Sequence, residues 1–147
     1  MRQAGSTVLM RRASSFAVGL VVLGILGGIA LADDEYPGDL RKKHPAAYKA
    51  YSKVVPRRYR KVTWIYRLQG TAGPVSQADV GGKTFYLGMV CQPHDCGDNE
   101  VAYLIAADGS AAYGLLHSSN YAKPGDVTFG TPDEPARKLL EGQLTPP

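Results

Sequence analysis

The chain has 147 residues, with 17 lysines and arginines against 13 aspartates and glutamates, two cysteines and three histidines. That length holds one domain with one modest core and excludes a multidomain enzyme. Arg2, Arg11 and Arg12 precede the first acidic residue. Without them 14 basic side chains face 13 acidic ones, a net charge of +1; no nucleic-acid partner is expected, because the segment that the three arginines open predicts export.

Those three arginines stand before FAVGLVVLGILGGI, residues 16–29, a run without a polar side chain. The run is shorter than the about 20 residues a membrane-spanning helix needs. Ala30-Leu31-Ala32 follows as a small-x-small cleavage site. A basic start, a short apolar centre and such a site predict a secretory signal peptide over 1–32, cleaved after Ala32, and a mature domain over 33–147. The expected compartment is the periplasm. An oxidising compartment predicts one disulfide, Cys91–Cys96.

Residues 33–44 read as a polar, loosely held lead-in. PAAYKAYSKVV, 45–55, opens on a proline, and Ala47, Tyr51, Val54 and Val55 share one helical face. Pro56 ends that helix. RRYRKVTWIYRLQG, 57–70, predicts a second helix with Tyr59, Val62 and Tyr66 as its stripe, broadened by Trp64, Ile65 and Leu68, and stopped at Gly70. Ten basic side chains and no acidic one lie in 41–67. They read as the solvated face of these helices, with attraction to anionic envelope polymer or phospholipid as the sharper alternative.

Beyond Gly73 the period becomes two. Residues 74–80 predict a first strand, and Gly81-Gly82 a two-residue hairpin turn. In 84–91, Phe85, Leu87 and Met89 alternate with Tyr86, Gly88 and Val90. CQPHDCGDNE then reads as a loop before the strand 101–106. Asp108-Gly109 is a second hairpin turn, 111–117 the return strand, 118–125 a loop, and 126–130 an edge strand. Thr131, Pro132 and Glu134 match N-cap, N1 and N3 of a last helix, with Ala136, Leu139 and Leu140 inward and Gly142 at its end. The predicted fold is α+β: a central antiparallel meander of about five strands, flanked by N-terminal helices and a C-terminal helix.

The chemistry concentrates in CQPHDC, 91–96. A disulfide across so short a ring adds roughly 2 kcal/mol at most on the chain-entropy argument. Its better use is rigidity: Pro93 fixes φ inside the ring, so His94 and Asp95 are presented in one conformation, which lowers the ordering cost of binding. The alternative is an ordinary structural disulfide. A redox site fits poorly, because catalytic dithiols use C-x-x-C at a helix start. His44, His94 and His117 show no zinc-ligand spacing, so no metal and no cofactor is expected. No G-x-S-x-G elbow and no motif placing paired carboxylates is present. The sequence therefore reads as non-enzymatic.

A strand, CQPHDCG, a strand, a turn and a third strand, behind a leader and two helices, resembles the Ivy family, the periplasmic inhibitors of vertebrate c-type lysozyme. The family signature C-x-P-H-D-C is matched by Cys91, Pro93, His94, Asp95 and Cys96, with Gly97 after it and Gln92 where some members carry lysine. The resemblance is specific over 84–117 and agrees in element order over 45–83. It implies that Cys91, Gln92, Pro93, His94, Asp95, Cys96 and Gly97 form a lysozyme-binding loop that plugs the cleft. His94 would meet the two catalytic carboxyl groups, and Asp95 would support it. It also brings the expectation of c-type lysozyme as partner, and, since some members are dimers, leaves a homodimer open. The other reading is a periplasmic binding protein that regulates an endogenous lytic transglycosylase or another wall enzyme.

Overall fold

Burial on both faces organises the chain around one sheet. The computed structural model describes residues 34–123 and 125–144; the expected leader and its cleavage point lie outside them. The helices are α1 (Leu40–Lys43), α2 (Pro45–Val54), α3 (Thr63–Tyr66) and α4 (Glu134–Glu141). The strands are β1 (Thr71–Ala72), β2 (Ser76–Val80), β3 (Lys83–Gln92), β4 (Asp95–Ala106), β5 (Ala112–Ser118) and β6 (Val127–Phe129). The sheet runs β1-β3-β4-β5-β6, and β2 pairs with β3 on the same side as β1. Every pairing is antiparallel. This is the expected α+β meander between helices.

The period-two alternation sorts side chains onto the two faces. Tyr86, Val90, Val101, Tyr103, Ile105 and Leu116 join Tyr51, Tyr59, Trp64 and Ile65 in one cluster under the N-terminal helices. Phe85, Leu87, Ala102, Leu104 and Leu115 join Ala136 and Leu140 of α4 in a second. Burying each large apolar side chain contributes about 1.5–3 kcal/mol, so β3, β4 and β5 are held from above and below.

Residues 57–70 do not form the continuous helix that their stripe predicts. They make a 3-10 turn at Arg57–Tyr59 and the single-turn α3, separated by Val62 in extended backbone. Leu68, at φ 54°, turns the chain away. Tyr59, Trp64, Ile65 and Leu68 are buried all the same, because long side chains reach the core from a turn as well as from a helix. Tyrosines of α2 satisfy carbonyls that so short a helix leaves open: Tyr51 donates to the Ile65 carbonyl at 2.8 Å and Tyr48 to the Tyr66 carbonyl at 3.1 Å.

The lead-in is also better held than expected. Pro37–Asp39 forms a 3-10 turn and Leu40 is fully buried. The Glu35 carbonyl accepts from the Val75 N–H at 2.6 Å. His44 lies between the Glu35 carboxylate (3.1 Å) and the Tyr86 hydroxyl (2.9 Å). At the other terminus the cap falls two residues later than Thr131. Asp133 accepts from the Ala136 N–H at 3.0 Å, with Glu134 and Pro135 opening the helix. A carboxylate at that position also favours the positive end of the helix dipole.

Gly81 and Gly82 have positive φ, as the predicted hairpin requires. Gly88 answers a different need. A Cβ there would strike the Tyr103 hydroxyl and lie 2.9 Å from Cζ, and that buried hydroxyl has no hydrogen-bond partner among the described residues.

Gly88→Ala is expected to cost roughly 1–3 kcal/mol by overpacking. Tyr103→Phe, which removes an unpaired buried hydroxyl, should recover part of that loss in the double variant; urea unfolding of the four proteins measures the coupling. Burial raises the pKa of Tyr48, Tyr51, Tyr86 and Tyr103. A folded-state value above the unfolded one, about 10, gives stability that is complete below pH ~10 and lost as pH rises further. Absorbance titration should therefore show a set of tyrosines ionising only with unfolding.

Candidate functional site: a disulfide-closed hairpin tip

The stretch expected as a loop is the tip of the β3–β4 hairpin. Phe85 to Cys91 pair with Ala106 to Glu100 in one register. The register then jumps, and Gln92 pairs with Asp95. Pro93 and His94 are left as a two-residue turn, and Cys96–Asn99 bulge from β4. Both cysteines therefore lie within strands, not at their ends. On the tip's register Cys91 and Cys96 are the next facing residues, and there the disulfide forms, with Cα atoms 5.1 Å apart.

His94 occupies the point of the turn. It is exposed and its φ is 68°. Pro at the first central position and positive φ at the second is the pattern of a type II turn, whose second central position favours glycine or asparagine. A histidine there costs about 1–2 kcal/mol of backbone strain. Pro93 is exposed beside it, Cys91 is buried, and Cys96 and Gly97 are exposed. Gln92 is half-buried, with its Oε1 enclosed and without a hydrogen-bond partner among the described residues.

Asp95 turns inward rather than outward. Its Oδ2 accepts from Nδ2 of Asn99 at 2.7 Å. Asn99 is fully buried and links two loops. Ser118 Oγ donates to its Oδ1, and Ser119 Oγ lies 3.4 Å from its Nδ2. Ser118 Oγ in turn accepts from the N–H groups of Asn120 (3.2 Å) and Tyr121 (3.0 Å), and Ser119 N–H donates to the Asp98 carbonyl at 2.8 Å. Asn99 and Ser118 belong to no sequence motif. The signal was a polar residue next to the strand VAYLIA, too close to the buried ladder to be solvated without partners. Glu100 is buried, so Asp98 is the exposed acid beside the tip.

The foot of the ring is braced as well. A Cβ on Gly70 would strike the Cys91 carbonyl and lie 3.1 Å from the Trp64 Cβ. Trp64 therefore packs at the base of the tip, and its ring meets that of Tyr121 at 6.2 Å. The other two histidines stand elsewhere: His44 with Glu35 and Tyr86, and His117 with Asp126 at 2.7 Å. Among the described residues no three metal-ligating side chains assemble, and no helix is long and apolar enough to cross a membrane. The ten basic side chains of 41–67 are all exposed.

A sheet covered on both faces thus ends in a disulfide-closed hairpin tip with an exposed histidine at its turn. The particular family follows from comparison. The family described as "Inhibitor of vertebrate lysozyme (Ivy)" matches residues 46–145, and the chain belongs to it. A Pseudomonas aeruginosa protein named "Inhibitor of vertebrate lysozyme" is 32% identical over 92 residues, 55% of this chain and 60% of that protein. An uncharacterised Yersinia pestis protein is 30% identical over 69 residues, 46% of this chain and 45% of that one. The matches thus span about half to three fifths of these relatives' lengths.

Asn99→Ala leaves the Asp95 carboxylate and the Ser118 hydroxyl without their shared partner, at an expected cost of about 1–3 kcal/mol. Hydrogen exchange should quicken at 94–98 and 118–121 together. Faster exchange in one segment alone would show that Asn99 does not couple them.

Proposed function

We propose that this chain is an exported inhibitor of c-type lysozyme. It seats the 91–96 tip in the enzyme's cleft and places the His94 imidazole between the catalytic carboxyl groups. One observation carries the reading: an exposed histidine stands in the turn of a covalently closed ring, at a positive φ that residues other than glycine seldom adopt. Outliers of this kind cluster at binding and active sites. Family membership and the name borne by the Pseudomonas relative support the choice of partner.

The chemistry suits the target. A glycosidase cleft holds two carboxyl groups a few ångströms apart, one as acid and one as carboxylate. A neutral imidazole offers one donor and one acceptor, and an imidazolium two donors. His94 can therefore bridge the pair in either protonation state. Because the disulfide, Pro93 and the Asp95–Asn99 bond fix the turn beforehand, little conformational entropy is lost on insertion. The inhibitor acts without chemistry of its own. It occupies the space that glycan would fill, and so protects the wall in the oxidising periplasm where its disulfide persists.

Turbidity assays on cell walls, titrating residues 33–147 against c-type lysozyme, test this reading. His94→Ala should weaken inhibition at least about tenfold, the scale of an interface hot spot. His94→Gly separates side chain from backbone. It should inhibit as poorly as alanine while the fold is unchanged or up to about 1 kcal/mol more stable, since glycine accepts positive φ. Equal inhibition by wild type and both variants rules out the plug. No inhibition by the wild type moves the target to an endogenous wall-cleaving enzyme such as a lytic transglycosylase.

A further inference from the structure

We infer that Tyr121, with Asn120 beside it, is a second contact patch for the same lysozyme, pressed against the surface next to the cleft once the tip is seated. The inference rests on the reading of the tip as a lysozyme plug. Two large hydrophobic side chains are exposed among the described residues: Tyr36 at 47% and Tyr121 at 41%. Tyr36 belongs to the lead-in. Tyr121 belongs to the block that holds the tip.

Its backbone is fixed at both ends. Its N–H donates to the buried Ser118 hydroxyl at 3.0 Å, and its carbonyl accepts from the Tyr59 hydroxyl at 2.9 Å. Its ring lies tilted against that of Trp64, which packs beside Gly70 at the foot of the disulfide ring. Through Ser118 and Asn99 the same segment is bonded to Asp95, the neighbour of His94. The tip and Tyr121 therefore move as one body, and a partner that engages His94 meets Tyr121 in a fixed relative position.

The residue type fits that use. Contact with Trp64 uses part of the tyrosine ring, and 41% of the residue stays in water on a backbone clamped on both sides. An interface gains a rigid amphipathic anchor with two side-chain torsions to order. Tyrosine is among the residues most enriched at binding hot spots. Asn120 adds a polar side chain at the rim, where hydrogen bonds set orientation.

Surface plasmon resonance with immobilised c-type lysozyme tests the patch on wild type, Tyr121→Ala, Tyr121→Phe and His94→Ala. Tyr121→Ala should dissociate about tenfold faster with little change in association rate, as loss of a packed interface residue does. Tyr121→Phe, which keeps the ring, should stay within about threefold of wild type. Hydrogen exchange of 94–98 in the free variants should be unchanged. Faster exchange there in Tyr121→Ala would make Tyr121 a brace of the tip and overturn the inference. Wild-type kinetics in Tyr121→Ala, with binding lost in His94→Ala, would overturn the patch and leave the plug standing. A wild type that binds no c-type lysozyme overturns both.

Discussion

Strand β3 is paired with β4 from Phe85 to Cys91 and on its other side with β2 up to Leu87 and with β1 from Val90, and its apolar side chains enter the clusters on both faces. Nothing in that stretch can slide, because a shift of one residue would exchange Tyr86 and Val90 with Phe85 and Leu87 between two different cores. The register of β3 against β4 is therefore set deep in the molecule. It stays set up to Cys91, and the strand pair breaks register only where the core ends. The projection at 92–95 inherits its position from that buried ladder. The disulfide adds the last constraint, at the place where hydrogen bonding gives out.

The same arrangement explains why strain at His94 survives. An unpaired turn would relax to a residue or an angle that costs less. Here Pro93 limits one neighbour, Asn99 holds the other through Asp95, and the cysteines join the strands on either side. The αL cost of about 1–2 kcal/mol is small against a core that buries Tyr51, Tyr103, Phe129 and Leu104. The stability of the sheet thus sustains a local conformation that the tip alone would not keep.

What the sequence displays depends on how far its signals reach. The alternation in 84–91 is local and strong because both faces are covered, and the glycine turns are equally local. The stripe of Tyr59, Trp64, Ile65 and Leu68 names the right core residues but the wrong backbone. Burial requires that these side chains reach inward, not that the residues between them be helical. Thr131 and Asp133 both suit a cap, and the choice falls to the residue whose carboxylate meets the Ala136 N–H. Asn99 and Ser118 stand 19 residues apart, and no periodicity links them. Their roles exist only once β4 and β5 are aligned. The tip motif was legible as a composition of rare residues. Its geometry, a two-residue turn at the end of a long hairpin, was not, because CGDN resembles ordinary loop.

The edges of the sheet carry a further consequence. One side of β3 is covered by two pieces, the two-residue β1 and the five-residue β2, with Gly73, Pro74 and Val75 between them. The Val75 N–H is taken by Glu35. At the far side β6 has three residues. Neither border offers a long row of free main-chain groups onto which another chain could add a strand. Among the described residues, border strands this short disfavour association by extension of the sheet. A chain built this way resists edge-to-edge aggregation even though its central strands are apolar on both faces.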